Sequence, residues 1–459
     1  MEEAFGRRIM SFTDLELKAL ERARPTATED RRIKEVVAKL QRALKREIAK
    51  TEINVETILV GSIAKGTHLR EPDIDMFLLF PPKVERERLE KVGLELGQSV
   101  VKGEARYAEH PYMHGVYDGM EVDIVPSYKI DSPEQRMTAV DRTPFHTEFV
   151  LGKIEDGQRD DVRMLKLFMK GTGVYGAEAK ISGFSGYLVE LLVLRYGTFR
   201  GVLQAASKWR VGEAISLPET RPAKKFDEPL VFVDPVDDKR NVAAALGDRM
   251  MAQFMQAAGD YLGRQSERFF FPRERKPLPL GDIERLMGER GTEPIAIQFR
   301  APDIGDDTVW PQVKKCERAL CDLFAHYGFK VIDSAVYASG LDTMVIVELE
   351  SAQLPGVLRH EGPPVDVPNA KEFVEKWRDS KAALSPPFLV GARWYVDISR
   401  KYCDAKALLE ANIPGLDLGK HLNEPVKGSY KIKRLSELLR EEHRGAMSAL
   451  LDKRMPWTV

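Results

Sequence analysis

The chain contains little cysteine and no long apolar run. Its only cysteines are Cys316, Cys321 and Cys403, so neither a disulfide framework nor a convincing set of zinc ligands is expected. No apolar run approaches the roughly 20 residues that a membrane-spanning helix needs. Residues 1–12 lack the apolar core of a signal peptide. We therefore expect a cytoplasmic protein that does not cross a membrane.

The sequence also lacks an excess of positive charge. Its 70 Lys+Arg residues face 71 Asp+Glu residues, for a net charge of −1, so the overall charge gives no argument for nucleic-acid binding. A local basic surface would still be enough to bind phosphates. Two clusters are candidates, although each alone is more often a solvated face: Arg273, Arg275 and Lys276, and then Lys431, Lys433 and Arg434.

The chain does have the length and patterning of several mixed domains. Its 459 residues correspond to about three domains at roughly 150 residues each. The first part alternates helix and strand signals, the pattern turns helical from about residue 158, and the proline-rich residues 276–281 indicate a boundary. We expect an α+β multidomain protein with a mixed-sheet domain over 1–150, a helical domain over 151–278 and an α+β part over 279–459.

Local signals place several elements. Apolar residues at three-to-four spacing predict a helix over 30–50, with Thr26 and Glu29 at capping-box spacing just before it. Asp118-Gly119 tolerates positive φ and predicts a hairpin turn. Strands are expected over residues 55–60, 73–80, 104–108, 113–117, 120–125, 295–300 and 344–350. Further helices are expected over 84–100, 185–196 and 313–327, the last ending at Gly328.

Acidic residues interrupt two of these strands. Asp73 and Asp75 are two apart, so the period of a strand places both carboxylates on one face, and Asp123 lies on a later strand. Magnesium prefers oxygen ligands and keeps open positions for phosphates. Two such ions ~4 Å apart would activate a hydroxyl and stabilise a leaving pyrophosphate. The pattern predicts a site for two magnesium ions, against the common alternative of a solvated strand face.

A Gly61-Ser62 turn lies upstream of these acids. A glycine there lets the backbone approach a phosphate, and the serine adds a hydroxyl donor. The stretch GSIAKGTH (61–68) lacks the spacing of a P-loop. Gly-Ser, then about ten residues, then Asp-x-Asp and a later strand acid form an ordered set, which favours nucleotidyl transfer over a solvated face.

This ordered set resembles the polymerase-β-like nucleotidyltransferases, and longer stretches resemble the archaeal-type (class I) CCA-adding enzymes. Those enzymes are tRNA nucleotidyltransferases that build and repair the CCA end of tRNA. The matching stretches run in family order across the first half of the chain: GSIAKGT (61–67), DIDMFLLFP (73–81), RYAEHPYMHG (106–115), EVDIVPSY (121–128), AVDRTPFH (139–146), GVYGAEAKISGFSGYLVELL (173–192) and VDPVDDKRNVAA (233–244).

The resemblance implies roles for individual residues. The metal-binding and catalytic acids would be Asp73, Asp75 and Asp123. The nucleotide-binding residues for ATP and CTP would be Ser62, Lys65, His146, Lys166, Tyr175 and Arg240. Of these, Lys65 stands where the family often has arginine, so it would hold phosphate as a point charge. Arg240 would read the edge of the incoming base, whereas the others would contact the triphosphate.

Without the resemblance, three of these residues have plainer interpretations. Lys166 would be an ordinary exposed lysine beside an apolar stripe. His146 would be a helix cap or a surface histidine. Arg240 would form a surface ion pair with Asp237 or Asp238.

The resemblance also implies the activity and the partners. The tRNA 3′-hydroxyl would attack the α-phosphate of CTP or ATP, without a nucleic-acid template and with two Mg²⁺ ions. The first domain would be a polymerase-β-like catalytic domain, the C-terminal part would bind tRNA, and the enzyme would be a homodimer.

Three other functions remain possible on the acids alone. A poly(A) polymerase or oligoadenylate-synthase-like enzyme shares them, but the long motifs argue against it. A catalytically inactive RNA-binding protein should lack one of the three acids, and all are present. Small-molecule nucleotidyltransferases are usually shorter than this chain.

Overall fold

The computed structural model of the chain describes residues 12–107, 111–218, 220 and 226–459. The last residue of the strand expected over 104–108, and part of the motif RYAEHPYMHG, lie outside the described residues. Contacts divide the chain into two compact units. The first comprises residues 1–275, 305–308 and 454–459, and the second comprises residues 276–304 and 309–453. The division into three domains stays a prediction.

The first unit contains a five-stranded mixed sheet, a two-stranded sheet and a set of helices. Its helices are α1 (Asp14–Ala23), α2 (Ala27–Ile48), α3 (Gly61–Lys65), α4 (Arg86–Val100), α5 (Thr143–Lys153), α6 (Asp156–Gly171), α7 (Gly186–Tyr196), α8 (Phe199–Ala206) and α9 (Asp248–Gly263). Its strands are β1 (Glu56–Leu59), β2 (Ile74–Phe80), β3 (Lys102–Tyr107), β4 (Pro111–Tyr117), β5 (Met120–Tyr128), β6 (Glu213–Ile215) and β7 (Leu230–Phe232).

The larger sheet has the order β1-β2-β5-β4-β3. β2 runs parallel to β5, and the other neighbours are antiparallel. Alternate residues of β2, such as Ile74 and Met76, are buried in a core with Leu40 of α2 and Leu89 of α4. Since α2 and α4 cover this face, the intervening residues of β2 and β5 face the opposite side of the sheet.

Local sequence signals explain the connections around this sheet. Thr26 and Glu29 form the predicted capping box at the start of α2. Asp118 and Gly119 adopt φ angles of 49° and 80° between β4 and β5, which confirms the predicted hairpin. The helices expected over 84–100 and 185–196 are also present, as α4 and α7.

Aromatic rings pack the helical part of the first unit. Phe168 of α6 contacts Phe199, Phe254 and Tyr261 edge to face, with ring centroids 5.4 to 6.3 Å apart. α6 is buried on nearly every side over its second half. This burial matters for the site described below, because α6 carries a lysine.

The second unit is an α+β body built on two further sheets. Its helices are α10 (Leu280–Arg290), α11 (Asp306–His326, beginning in the first unit), α12 (Ala370–Arg378), α13 (Ala405–Asn412), α14 (Asn423–Ser429), α15 (Leu435–Leu438) and α16 (Arg444–Leu451). Its strands are β8 (Glu293–Arg300), β9 (Val331–Ser339), β10 (Asp342–Leu349), β11 (Val357–Pro364), β12 (Phe388–Val390), β13 (Arg393–Ser399) and β14 (Lys431–Arg434).

The sheets of the second unit have the orders β14-β8-β10-β9 and β11-β13-β12. The predicted strands over 295–300 and 344–350 correspond to β8 and β10, and the predicted helix to α11, after which Gly328 has a φ of 84°. The expected α+β multidomain class is confirmed. Among the described residues, none of the helices has the length and apolar character needed to span a bilayer.

Candidate functional site

A cavity of about 680 Å³ opens within the first unit, and all nine predicted site residues line it. They come from the sheet, from α3, α5 and α6, and from the loops around Tyr175 and Arg240. The nine are Ser62, Lys65, Asp73, Asp75, Asp123, His146, Lys166, Tyr175 and Arg240. The structure therefore brings together side chains from widely separated parts of the sequence.

One side of the cavity carries the three aspartates, here called the acidic wall. Asp75 and Asp123 are direct neighbours across the parallel pair β2–β5, and Asp73 precedes β2. Burial, followed by the charges of Asp123 and Asp73, raises the pKa of Asp75 to about 7. Burial, with Glu121 and Asp123, also raises the pKa of Asp73. The wall holds more negative charge than its surroundings stabilise, so it offers a binding site for a cation.

The acidic wall is not already arranged as a metal cage. Among the described residues, no set of three or more His, Cys, Asp or Glu side chains has a geometry ready for a metal ion. His114 of β4 lies opposite Asp123, and its Nδ1 is 2.6 Å from Asp123 Oδ1. One oxygen of Asp123 is thus engaged by a residue that the sequence analysis missed.

Gly61 is required by the acidic wall itself. It has a φ of 72°, and a Cβ at this position would lie 1.9 Å from Asp75 Oδ2. The expected close approach of a phosphate at this glycine stays a prediction. The structure adds a second reason for glycine, since it lets the start of α3 pass beside the Asp75 carboxylate, which also places Ser62 at the cavity.

Two buried lysines that line the same cavity share one glutamate. Lys65 is 6% exposed and Lys166 is 3% exposed, so the plain interpretation of Lys166 as an exposed lysine is wrong. Lys65 Nζ lies 2.5 Å from Glu190 Oε2, and Lys166 Nζ lies 3.6 Å from Glu190 Oε1. Thr67 donates to Glu190 Oε1 at 2.6 Å and accepts from Lys166 at 3.3 Å.

This network sets the charges of its members. Burial lowers the pKa of Lys166 to about 8, although Glu190 partly opposes the shift. Burial alone would raise the pKa of Glu190, but the ammonium groups of Lys65 and Lys166 lower it overall. Burial also raises the pKa of Tyr175, so its hydroxyl keeps its proton and can donate a hydrogen bond.

Asp234 organises a second pair of predicted residues. His146 Nε2 is 3.0 Å from Asp234 Oδ2, and Arg240 Nη1 donates to the same oxygen at 2.8 Å. His146 is stacked on Tyr187, with ring centroids 4.2 Å apart. His146 is therefore neither a cap nor an isolated surface histidine, and Arg240 pairs with Asp234 rather than with the predicted Asp237 or Asp238.

The contact with Asp234 fixes the tautomer of His146. Burial lowers the pKa of His146 despite the nearby carboxylate, so the ring is neutral at pH 7. A carboxylate only accepts, so Nε2 carries the proton and donates it to Asp234. The remaining Nδ1 is then an acceptor, and His146 donates to a phosphate only after it gains a second proton or leaves Asp234. Lys65, Lys166, His146 and Arg240 are here called the basic wall.

The carboxylates that serve the basic wall, Glu190 and Asp234, were not predicted from the sequence. Glu190 lies inside an apolar helical run, and Asp234 lies in a loop rich in acids. A signal for Glu190 was available, because a lone carboxylate in a buried helix requires a positive partner. The two basic clusters singled out from the sequence, around Arg275 and Lys433, do not line this cavity.

Models of known protein families match successive parts of the chain. Three family models match: a nucleotidyltransferase domain over residues 37–146, the second domain of tRNA nucleotidyltransferase over 160–271, and the C-terminal domain of CCA-adding enzyme over 290–434.

Two curated relatives match over almost their whole length. The chain is 38% identical over 436 residues to a CCA-adding enzyme of Methanosarcina acetivorans, covering 93% of this chain and 95% of the relative. It is 36% identical over 433 residues to a CCA-adding enzyme of Haloarcula marismortui, covering 90% and 92%. Among solved structures, the Cid1 poly(U) polymerase with Mg and 3′-dATP has a TM-score of 0.44 and 14% identity, covering 56% of this chain and 95% of that chain.

Proposed function

Since this chain belongs to the family of CCA-adding enzymes, we propose that it builds and repairs the 3′-terminal CCA of tRNA from CTP and ATP. The tRNA 3′-hydroxyl attacks the nucleotide α-phosphate and pyrophosphate leaves, without a nucleic-acid template. The observation that carries this proposal is the meeting of an acidic and a basic wall in one cavity. One cavity would then serve both nucleotides.

The donor set of the acidic wall fits magnesium. Asp73, Asp75 and Asp123 supply only hard carboxylate oxygens, which suit this ion. The raised pKa values of Asp73 and Asp75, and the repulsion among the three carboxylates, would be relieved by a bound cation. When bound, two magnesium ions would lower the pKa of the attacking hydroxyl and neutralise charge on the leaving pyrophosphate. Magnesium, and the assignment of these three residues to it, are part of the proposal.

The chain's own residues would bind and orient the triphosphate. Lys65 and Lys166 carry positive charge into a water-poor region, where it interacts strongly with phosphate oxygens. Both are held beside Glu190 before the substrate enters, so their positions are fixed in advance. Ser62 and Tyr175 would add hydroxyl donors, and His146 would donate from Nδ1 once it is protonated.

Asp123 would serve the attacking end of the RNA. Its Oδ1 is engaged by His114, which leaves Oδ2 for the reacting side. Arg240, one-third exposed at the side chain, would face the base of the incoming nucleotide. This arrangement positions both reactants and neutralises charge, which is what phosphoryl transfer requires of a protein.

The remaining expectations stand on the family alone. We propose that the second unit provides a surface for tRNA, that the enzyme is a homodimer, and that it works in the cytoplasm. A poly(A) polymerase or oligoadenylate-synthase-like enzyme is the competing function, and it would produce homopolymer or 2′-5′-linked products.

The test is a single assay with defined RNA ends. Purified protein, Mg²⁺ and radiolabelled CTP or ATP are incubated with tRNAs that end before CCA, after C and after CC. Ordered addition of C, C and A supports the proposal. Unlimited A tails, or transfer to a small acceptor, would show that another nucleotidyltransferase function is correct.

A further inference from the structure

Asp234 joins side chains of the basic wall without lining the cavity itself. It is 1% exposed and is not among the lining residues. Besides His146 and Arg240 on Oδ2, its Oδ1 accepts from the Tyr187 hydroxyl at 3.3 Å. A buried carboxylate with several donors holds each donor in a fixed direction.

The contact with Asp234 holds one end of the planar guanidinium group of Arg240. The guanidinium is flat, with its nitrogens in a set fork. In the part of the chain that the structure describes, Nη1 is the only guanidinium nitrogen of Arg240 with a hydrogen-bond partner, Asp234. Anchoring Nη1 therefore restricts the directions in which Nε and Nη2 donate, and Arg240 lines the cavity.

Backbone hydrogen bonds close the loop that carries Arg240, and the Asp234 side chain adds one contact to it, from the Val236 N–H to Oδ1 at 3.0 Å. The Asp234 N–H donates to the Arg240 carbonyl at 3.0 Å, and the Arg240 N–H donates to the Asp237 carbonyl at 2.9 Å. Asp237 is tied separately to Arg142 at 2.8 Å. The backbone thus places Arg240 near the cavity, whereas the Asp234 carboxylate sets the orientation of its guanidinium.

From this division of labour we propose that Asp234 is a specificity-determining positioning residue, one that aims Arg240 at the base edge of the incoming CTP or ATP. The inference rests on the proposed function, since it needs a nucleotide in the cavity. Bases differ in their pattern of donors and acceptors, and a fork that can rotate distinguishes those patterns poorly. Asp234 touches neither substrate nor reacting atoms, and it acts on the base only through Arg240. Its contact with His146 concerns the triphosphate, which is the same in every nucleotide.

The experiment replaces one oxygen of Asp234. Asp234→Asn keeps an acceptor for Tyr187 and for the Val236 N–H, which is 3.0 Å from Oδ1, but an amide nitrogen at Oδ2 cannot accept from Arg240. The rate constant kcat/KM is measured for ATP and GTP on tRNA ending in CC, and for CTP and UTP on tRNA lacking CCA. We expect the ratios ATP/GTP and CTP/UTP to fall by about tenfold.

Two comparisons separate aiming from general damage. Asp238→Asn makes the same charge change at an exposed position of the same loop, and it should keep the wild-type ratios. In an Arg240→Gln background, Asp234→Asn should cause no further fall in either ratio, because its only route to the base is already removed. A purely structural role would instead add a second loss.

Asp234→Glu provides a second test if Asp234→Asn does not fold. It keeps the buried charge but displaces the carboxylate by about one C–C bond, about 1.5 Å, so it should fold and still lose discrimination. Wild-type ratios in both Asp234 variants, alongside lost discrimination in Arg240→Gln, would overturn the inference. A wild-type enzyme that adds no C or A to either tRNA would instead overturn the proposed function.

Discussion

The two walls of the cavity handle charge in opposite ways. On the acidic wall, burial and then the neighbouring carboxylates raise the pKa values of Asp73 and Asp75. On the basic wall, each positive group already has an internal partner: the two buried lysines share Glu190, and Arg240 pairs with Asp234. The acidic wall is therefore incomplete without a cation, whereas the basic wall is partly neutralised in advance. Binding of a nucleotide to the basic wall would exchange or share partners rather than create them.

Removal of one carboxylate from the acidic wall should have the largest effect on activity. Asp123→Asn removes a charged oxygen where a cation is needed, so kcat should fall at least about 1000-fold, because metal assistance contributes several kcal/mol. Binding of tRNA, measured by gel mobility, should be retained.

Glu121→Gln is the matched control for Asp123→Asn. It changes an acid two residues earlier on the same strand that does not line the cavity, and it should retain activity. Activity retained in Asp123→Asn, or lost equally in both variants, would refute the assignment of Asp123.

The partner of the two lysines should matter most for stability. Glu190→Gln leaves two buried ammonium groups without a counter-charge, so the free energy of unfolding should fall by about 3 kcal/mol. Denaturant unfolding measures this loss.

An exposed pair of equal length provides the control for Glu190→Gln. Glu267 lies 2.5 Å from Arg22 with both side chains more than half exposed, and Glu267→Gln should cost no more than about 0.5 kcal/mol. Similar losses in the two variants would show that the Glu190 network does not hold the basic wall together.

The burial and repulsion of carboxylates on the acidic wall should make the stability of the protein depend on pH. The pKa of Asp75 rises from 3.8 to about 7 on folding, so the folded state binds this proton more tightly than the unfolded state. Ionisation of Asp75 therefore lowers the free energy of unfolding as pH rises from 3.8 towards 7, and the loss is complete above that.

This penalty is measured against a variant that cannot ionise. In EDTA, the wild type should lose at least about 1.4 kcal/mol of stability relative to Asp75→Asn between pH 5 and pH 8. Saturating Mg²⁺ should reduce that loss. A stability difference that stays constant over this pH range would show that the acidic wall is not strained.

Much of the fold follows from local sequence signals. The capping box of α2 and the Asp118-Gly119 hairpin depend on a few neighbouring residues, and both are present. The two-residue period of β2 also placed Asp73 and Asp75 on the side away from the apolar core.

The partners on the basic wall depend on contacts between distant residues. Lys65 and Glu190 are 125 residues apart, and His146 and Asp234 are 88 apart. Arg240 shows why proximity in sequence misleads. The acid three residues before it, Asp237, is already held by Arg142 at 2.8 Å, and the loop turns Arg240 back to Asp234.

The contact between His114 and Asp123 should give the smallest effect. His114 orients one oxygen of Asp123, so its loss should weaken binding of the cation rather than abolish transfer. His114→Ala should raise the Mg²⁺ concentration for half-maximal activity about fivefold, equivalent to one hydrogen bond at about 1 kcal/mol.

Two further variants test whether the effect comes from the hydrogen bond of His114. Asn carries an N–H donor close to the place of His Nδ1, so His114→Asn should restore most of the wild-type Mg²⁺ requirement. Glu104→Gln, on the exposed strand opposite His114, should leave it unchanged. If His114→Ala instead lowers the Mg²⁺ requirement, His114 competes with the cation for Asp123. The acidic wall would then be partly neutralised from within, as the basic wall is.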